Sequence, residues 1–517
     1  MRIRFPLCGA ALLLISGCMV GPDFSRPSTR LESQWSLPQK SEFSTEVQAS
    51  TDRLMNPVQW WSEFNDPTLT DLLKRASKQN LSLQSAAVRV FQARSQLGVT
   101  DASLLPTVNL TGQASAQRPS TLSIQPSSSS SISQYNTLVQ ANWELDFWGK
   151  FRRGIESATA TYMSTVAAYY SADVSLTADV ANTYINIRKT EQLIEVARAN
   201  LALQAESLRI ASARYRFGQT SLLDLSQAQS QYEQTKSEIP GLINTLKGLY
   251  YSMGVLLGED PEFYEKHYGK TKGTMVEPKA LEIGIPRDLL RRRPDVLEAE
   301  FNAASQSALI GVNQAALYPS FSLLGYFGFQ GASLNTGDNG SFTWSNNGSS
   351  IAGSFLFPLF YRGALIDQVR VQDAAFQRAV LNYQNVVLNA QKEVQSSLML
   401  ISTSRSSTAD LQKAVIASKR AADLALDRYK QGQNDYNVVI VAQQSLLAVQ
   451  NAYVQSKANT LIGFVGAYKS LGGGWSGEMN IPQLPADMIN EMEQRTDWGQ
   501  VLRQTADPRL VKTIDTP

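Results

Sequence analysis

The longest unbroken patterns in this chain are helical. From Ile155 to Phe217 there is neither Gly nor Pro, and the same holds from Ala364 to Gln431. At 1.5 Å per residue, each stretch predicts a helix of about 100 Å. A helix of that length needs a packing partner in water. The apolar spacing supplies one. Leu193, Ala197, Leu201, Gln204, Leu208, Ala211 and Tyr215 recur in three- and four-residue steps, as do Leu411, Val415, Ser418, Ala422, Ala425 and Tyr429. Such steps form a coiled-coil seam, and its many small residues allow close approach. A compact bundle shares this period but not this length.

Elsewhere the period shortens to two. Val108, Leu110, Gly112 and Ala114 alternate with Thr107, Asn109, Thr111 and Gln113, and Val139, Ala141, Trp143 and Leu145 alternate with Gln140, Asn142 and Glu144. Phe321, Leu323, Phe327 and Phe329 alternate with Ser320, Ser322 and Tyr326, and a return strand carries Ile351, Gly353, Phe355 and Phe357. Four strands follow, at about 105–117, 134–147, 318–330 and 342–360. They are linked by a Ser-rich loop at 118–133 and a Gly/Asn/Ser-rich loop at 331–350. One apolar and one polar face suits a water-filled barrel in lipid, although a half-buried soluble sheet alternates in the same way. Trp143, Phe147, Trp148, Phe357 and Phe360 near the strand ends fit either an interfacial aromatic girdle or packing onto the helices. Four strands cannot close a barrel. Two protomers give eight strands and three give twelve, with a pore on the shared axis.

The pattern occurs twice. Arg214-Tyr215-Arg216-Phe217-Gly218-Gln219 matches Arg428-Tyr429-Lys430-Gln431-Gly432-Gln433 at an offset of 214, which Ala228-Gln229/Ala442-Gln443 and Leu257-Gly258/Leu471-Gly472 keep. Leu105-Pro106-Thr107 matches Tyr318-Pro319-Ser320 at an offset of 213. An internal duplication is expected, with repeats at 66–258 and 286–472. Each reads helix, hairpin, very long helix (about 151–217 and 363–431), turn, helix. The segments 18–65, 259–285 and 473–517 remain for an irregular equatorial region.

The N-terminus changes the picture. Arg2 and Arg4 precede a short apolar run from Leu7 to Ile15, which is too short to span a bilayer, and then come Ile15-Ser16-Gly17-Cys18. Residues 1–17 read as a signal peptide. The run resembles the lipobox of bacterial lipoproteins, which implies cleavage before Cys18 and acylation of that residue. Met19 at the next position fits sorting to the outer membrane. Loss of Arg2 and Arg4 leaves 45 basic against 45 acidic residues. That balance argues against a nucleic-acid partner. Cys8 leaves with the leader, so no disulfide within the protomer and no Cys-based metal site are expected. His267 is the single histidine and reads as a solvated loop residue. No nucleophile elbow, Cys/His pair, zinc-protease motif or P-loop appears, so neither an enzyme nor a cofactor is expected. No apolar run of eighteen residues follows the leader, so a spanning element would have to be a barrel.

Four motifs carry a family resemblance. They are Cys18-Met19-Val20-Gly21-Pro22-Asp23-Phe24-Ser25-Arg26-Pro27; Trp60-Trp61-Ser62-Glu63-Phe64-Asn65-Asp66-Pro67-Thr68-Leu69; Ile285-Pro286-Arg287-Asp288-Leu289-Leu290 with Arg292-Arg293-Pro294-Asp295-Val296; and Tyr468-Lys469-Ser470-Leu471-Gly472-Gly473-Gly474-Trp475. In this order they resemble the TolC-like outer-membrane factors, in the NodT/OprM lipoprotein branch, over nearly the whole mature chain. The resemblance implies a mainly α homotrimer with a twelve-stranded outer-membrane β-barrel, four strands per protomer, continued by a long α-helical coiled-coil barrel into the periplasm. It implies a passive efflux duct for drugs or other toxic small molecules. Its partners would be a periplasmic adaptor and an inner-membrane pump, usually of the resistance-nodulation-division class.

By the same resemblance the periplasmic tips fall at Phe217, Gly218, Gln219, Thr220 and at Gln431, Gly432, Gln433, Asn434, as docking points or as plain chain reversals. The gate departs from the family pattern. Counted from Gly432, the family's leucine position holds Asn437 and its aspartate position Val441. Asp224 and Asp435 remain as acidic candidates, with Asp224 equally readable as a solvated helix-face residue. Two rivals stay open: a channel for type I protein secretion, and a coiled-coil lipoprotein without a pore. The second predicts no ion current.

Overall fold

The structure is a computed structural model that describes residues 19–28, 57–117, 131–271, 276–278, 293–335, 347–504 and 506–511. The expected signal peptide, Cys18, residues 285–292 and the loop centres at 118–130 and 336–346 lie outside the described residues. In chain order the elements are α1 (Pro67–Gln79), α2 (Leu81–Asp101), β1 (Thr107–Gln117), β2 (Ser131–Leu145), α3 (Lys150–Arg216), α4 (Leu222–Leu256), α5 (Phe263–Tyr268), α6 (Pro294–Ala315), β3 (Ser320–Asn335), β4 (Asn347–Leu356), α7 (Arg362–Lys430), α8 (Tyr436–Ser470), α9 (Ala486–Arg495) and α10 (Pro508–Val511). The two long helices contain 67 and 69 residues. The chain divides into two compact units. One comprises 1–27, 91–164 and 299–383, the other 28–90, 165–298 and 384–517.

The first unit holds one antiparallel sheet in the order β1-β2-β3-β4. Its register stacks rows of like character, because paired residues share a face. Leu110 lies beside Val139 and Phe327, Val108 beside Ala141, Gly325 and Ile351, and Leu145 beside Phe321 and Phe355. The opposite face carries Asn109-Gln140-Tyr326-Ser350 and Glu144-Ser322-Ser354. That face also carries Leu138, which is buried, and Leu324. The apolar side has no core against it among the described residues: Leu110, Ile351 and Phe355 are 73%, 90% and 73% exposed. β3 extends to Asn335, into the expected loop, because β2 from Ser131 to Tyr135 supplies its backbone partners. β2 stops at Leu145 and β4 at Leu356, short of the expected 147 and 360. Beyond β2, the Asp146 carboxylate instead accepts the Phe151 and Arg152 backbone N–H groups at 3.1 and 3.0 Å and caps α3.

The aromatic candidates at this rim divide between two roles. Trp148 stacks on Tyr318 with centroids 4.7 Å apart and donates Nε1–H to the Pro319 carbonyl at 2.8 Å. Trp143, Phe147, Phe357 and Phe360 remain exposed. Beside them lies the segment 19–27. The buried Arg153 guanidinium donates to the carbonyls of Val20 and Gly21 at 3.1 and 3.2 Å, to Asp23 at 2.7 Å and to Glu156 at 2.7 Å. Gly21 has φ +98°, and a Cβ there would stand 2.4 Å from the Gly311 Cα, so only glycine allows this approach. Arg26 pairs with Glu300 at 2.7 Å.

The second unit is helical, and the remaining motifs hold it together. Trp60 stacks on Tyr468 at 5.0 Å and meets Phe64 edge-on at 5.9 Å. Asp66 caps α1, accepting from the Thr68 and Leu69 N–H groups, and its other oxygen accepts the Tyr184 hydroxyl at 2.7 Å. Buried Arg293 donates to the Ser470 carbonyl at 2.8 Å, to Asp295 at 2.7 Å and to Glu393 at 2.8 Å. The described residues of these motifs cap and pack the helices.

The expected seam positions of α7 include Ala422, Ala425 and Tyr429, which are buried. In α3 the seam is rotated. Ala197, Gln204 and Ala211 are buried, but Tyr215 is 41% exposed, and Asn200 and Ser207 take the inner line. Their partners on α8 explain this. Asn200 donates to Gln450 at 2.6 Å, and Gln443 donates to Ser207 at 2.7 Å. Paired amides and hydroxyls can be buried where unpaired ones cannot.

Asp173 on α3 has a carboxyl that burial pushes up to about 6. Between the ordinary carboxylate range and that value the folded chain binds more protons than the unfolded one, so this group's contribution falls as pH rises and is flat above. Asp173→Asn is expected to stabilise the protein by about 2 kcal/mol at pH 7.5 and by nothing at pH 4. Urea midpoints at the two pH values check this; equal shifts would rule out the buried carboxyl as the cause.

Candidate functional site: the two helix reversals

Both long helices end by the same backbone device. The Gly218 N–H bonds the Tyr215 carbonyl at 3.0 Å and the Gln219 N–H the Arg214 carbonyl at 2.8 Å. Gly432 and Gln433 repeat this with Tyr429 and Arg428 at 3.0 and 2.9 Å. This is the Schellman closure, which needs a left-handed residue one place past the helix. Gly218 and Gly432 supply it with φ of +67° and +74°.

The side chains differ where the backbones agree. Phe217 at the first reversal is 80% exposed, and its counterpart is the polar Gln431. Leu222 and Leu223 beyond it are also exposed. Gln219, Gln433 and Gly432 are exposed, while Thr220 and Asn434 are half-buried, with Asn434 donating to the Ala425 carbonyl at 3.2 Å. Tyr215 points outward, yet its counterpart Tyr429 is buried, meeting Tyr436 edge-on at 5.1 Å beside Ile210, Ala211, Ala228 and Val439. Arg214 ties the reversals together. Its guanidinium lies 4.6 Å from the Tyr429 ring centroid and donates to the Tyr429 carbonyl and, at 3.4 Å, to the Gln219 carbonyl. Burial raises the phenol pKa values of Tyr429 and Tyr436, so both stay protonated at neutral pH. Sequence reasoning missed Arg214, although the chemical contrast between Phe217 and Gln431 already marked the two turns as unequal.

The gate candidates lie on the helices leaving these turns. Ser221 caps α4 by accepting the Asp224 N–H at 3.3 Å, and Asp224 in return accepts from the hydroxyls of Thr220 and Ser221. Asp224 is therefore tied into its turn. Asp435 precedes α8 without a side-chain capping bond. Asn437 and Val441, one turn apart, are both exposed. Cys18 lies outside the described residues. Among the described residues no cluster of His, Cys, Asp and Glu could hold a metal, and no helix is long and apolar enough to cross a membrane.

A lone sheet with one lipid-like and one water-like face, joined in one chain to helices of nearly seventy residues, defines a class of membrane channel. The profile of the family described as "Outer membrane efflux protein" matches residues 72–247 and 285–473. The chain belongs to that family. It is an outer-membrane efflux channel that extends into the periplasm. It is 28% identical over 444 residues to nodulation protein T of Rhizobium leguminosarum bv. trifolii, covering 85% of this chain and 90% of the relative. It is 29% identical over 475 residues to the solvent efflux pump outer membrane protein SrpC of Pseudomonas putida, covering 91% and 98%. The solved outer-membrane channel OprN superposes with a TM-score of 0.79 at 27% identity, covering 89% of this chain and all of that one.

The Arg214 tie predicts an asymmetry between counterparts. Arg214→Ala is expected to cost about 1–2 kcal/mol, while Arg428→Ala stays within about 0.5 kcal/mol. Hydrogen exchange at the Gly432 and Gln433 amides reads this locally. Equal protection in both variants would mean that Arg214 holds nothing.

Proposed function

We propose that three copies of this chain close one twelve-stranded barrel, and that the barrel and its helices form the passive exit duct of a tripartite efflux system. The observation that carries this is the sheet. Its apolar face is largely exposed, and among the described residues β1 and β4 each leave one edge unpaired. In lipid an open edge strands backbone N–H and C=O groups, which only closure satisfies. Barrels begin at about eight strands, so copies must share one.

In this reading the polar face lines the pore. The adaptor docks at the two reversals, with Phe217, Leu222 and Leu223 as the apolar contribution and Gln431, Gln433 and Asn434 as the polar one. An inner-membrane pump, of the resistance-nodulation-division class, loads the duct. The cargo is drugs or other toxic small molecules, in line with the solvent efflux named for the SrpC relative. Asn437 and Val441 face the narrowest point, and Asp435 stands beside it. Asp224, occupied by its own turn, has the weaker claim. Cys18 carries the lipid, which adds a clamp to a protein that its barrel already holds in the membrane.

Purified protein in planar bilayers tests this. Discrete current steps are expected, and Cys18→Ala exported on a non-lipoprotein leader is expected to give the same steps. Asn437→Ala and Val441→Ala are expected to raise conductance by shortening the constriction. Unchanged conductance in both would move the gate elsewhere. Absence of current from the parent protein would defeat the duct itself.

A further inference from the structure

The polar face of the sheet ends in a cavity. At the helix-side rim, the ends of β2 and β4, the start of β3 and the first turn of α7 enclose about 390 Å³. That is within the size range of small-molecule sites. One wall is aromatic: the Trp148 and Tyr318 rings stack at 4.7 Å and 25°, held by the Trp148 bond to the Pro319 carbonyl. Tyr361, 69% exposed, lines the same space, together with Leu356 and Leu365.

Two carboxylates reach the cavity, and they are unequal. Asp146 is consumed as the cap of α3 and by the Arg152 guanidinium at 3.1 Å. Glu144 sits on the polar face, in register with Ser322 and Ser354. Its described partner is Lys150, whose ammonium lies at 3.0 Å, and both side chains are about one third or more exposed. An ion pair that exposed is weak and exchangeable. Lys150 thus occupies the place a ligand's positive charge would take.

We infer that this cavity is a binding site for planar aromatic cations on the duct wall: the rings stack on Trp148, Tyr318 and Tyr361, and the cation displaces Lys150 from Glu144. Aromatic faces attract cations as well as stacking on flat rings. The site rests on the reading that the polar face lines the pore. It provides a waypoint that retains amphiphilic cationic cargo before release.

The test uses the full-length protein in lipid nanodiscs, titrated with rhodamine 6G and read by fluorescence anisotropy, alongside bilayer current from the same preparation. Saturable binding is expected, weakened about five- to tenfold by Glu144→Gln and by Tyr361→Ala, and strengthened by Lys150→Gln. All three side chains are substantially solvent-exposed, so the variants are expected to fold, and their current steps verify it. A conducting protein with no saturable binding, or with equal affinity in all variants, overturns the site and leaves the duct standing. A protein with no current overturns both.

Discussion

The rest of this molecule is organised around a four-stranded sheet whose two outer strands have open edges among the described residues. Among the described residues, β1 and β4 each have one edge without a neighbouring strand, and Leu110, Ile351 and Phe355 on the apolar rows are largely exposed. In water such a sheet is an aggregation template. In lipid its apolar face is at home, but its edges are not. In the proposed assembly, closure by further copies meets both demands together. It also makes the alternation of polar residues on the other face meaningful, because that face must then enclose water.

The helical unit solves a different problem. Helices of 67 and 69 residues need continuous packing, yet an entirely apolar seam would freeze their alignment. Here the inner line of α3 is mixed, with Asn200 and Ser207 among alanines, and α8 answers these two with Gln450 and Gln443. Hydrogen bonds fix this register at a smaller net gain than the same area of leucine would give. Close to the reversals the chemistry changes: Tyr429, Tyr436, Ile210 and Val439 form an apolar knot beneath the Arg214 tie. Away from the reversals the same helices bury Ile185, Ile194, Val394, Leu398, Leu446 and Leu461 beside these polar contacts.

Much of this was legible beforehand. Two glycine- and proline-free stretches announced the long helices, period-two alternation announced the strands, and glycines 214 residues apart announced identical turns. What escaped was whatever depends on a neighbour. Tyr215 and Tyr429 occupy matching places in matching hexapeptides, yet one is exposed and the other buried, because only Tyr429 packs into the cluster of Ile210, Ala211, Ala228, Tyr436 and Val439. Asp224 looked free and is bound to its own cap. Trp148 could not be told from Trp143 until Tyr318 was placed beside it. Local period is written in the chain, but the rotation of a seam and the occupancy of a carboxylate are settled by tertiary partners.

The clamp on residues 19–27 has a geometric consequence. Val20 donates its N–H to the Trp148 carbonyl at 3.1 Å, at the helix-side rim of the sheet. Position 18 is two residues away, a reach of about 7 Å even at full extension. On the proposed lipidation of position 18, acyl chains attached there would enter the leaflet that this rim touches. A tether that short would work as a compass: it would tell the strand set which end is down, because insertion upside down would unseat the N-terminal segment.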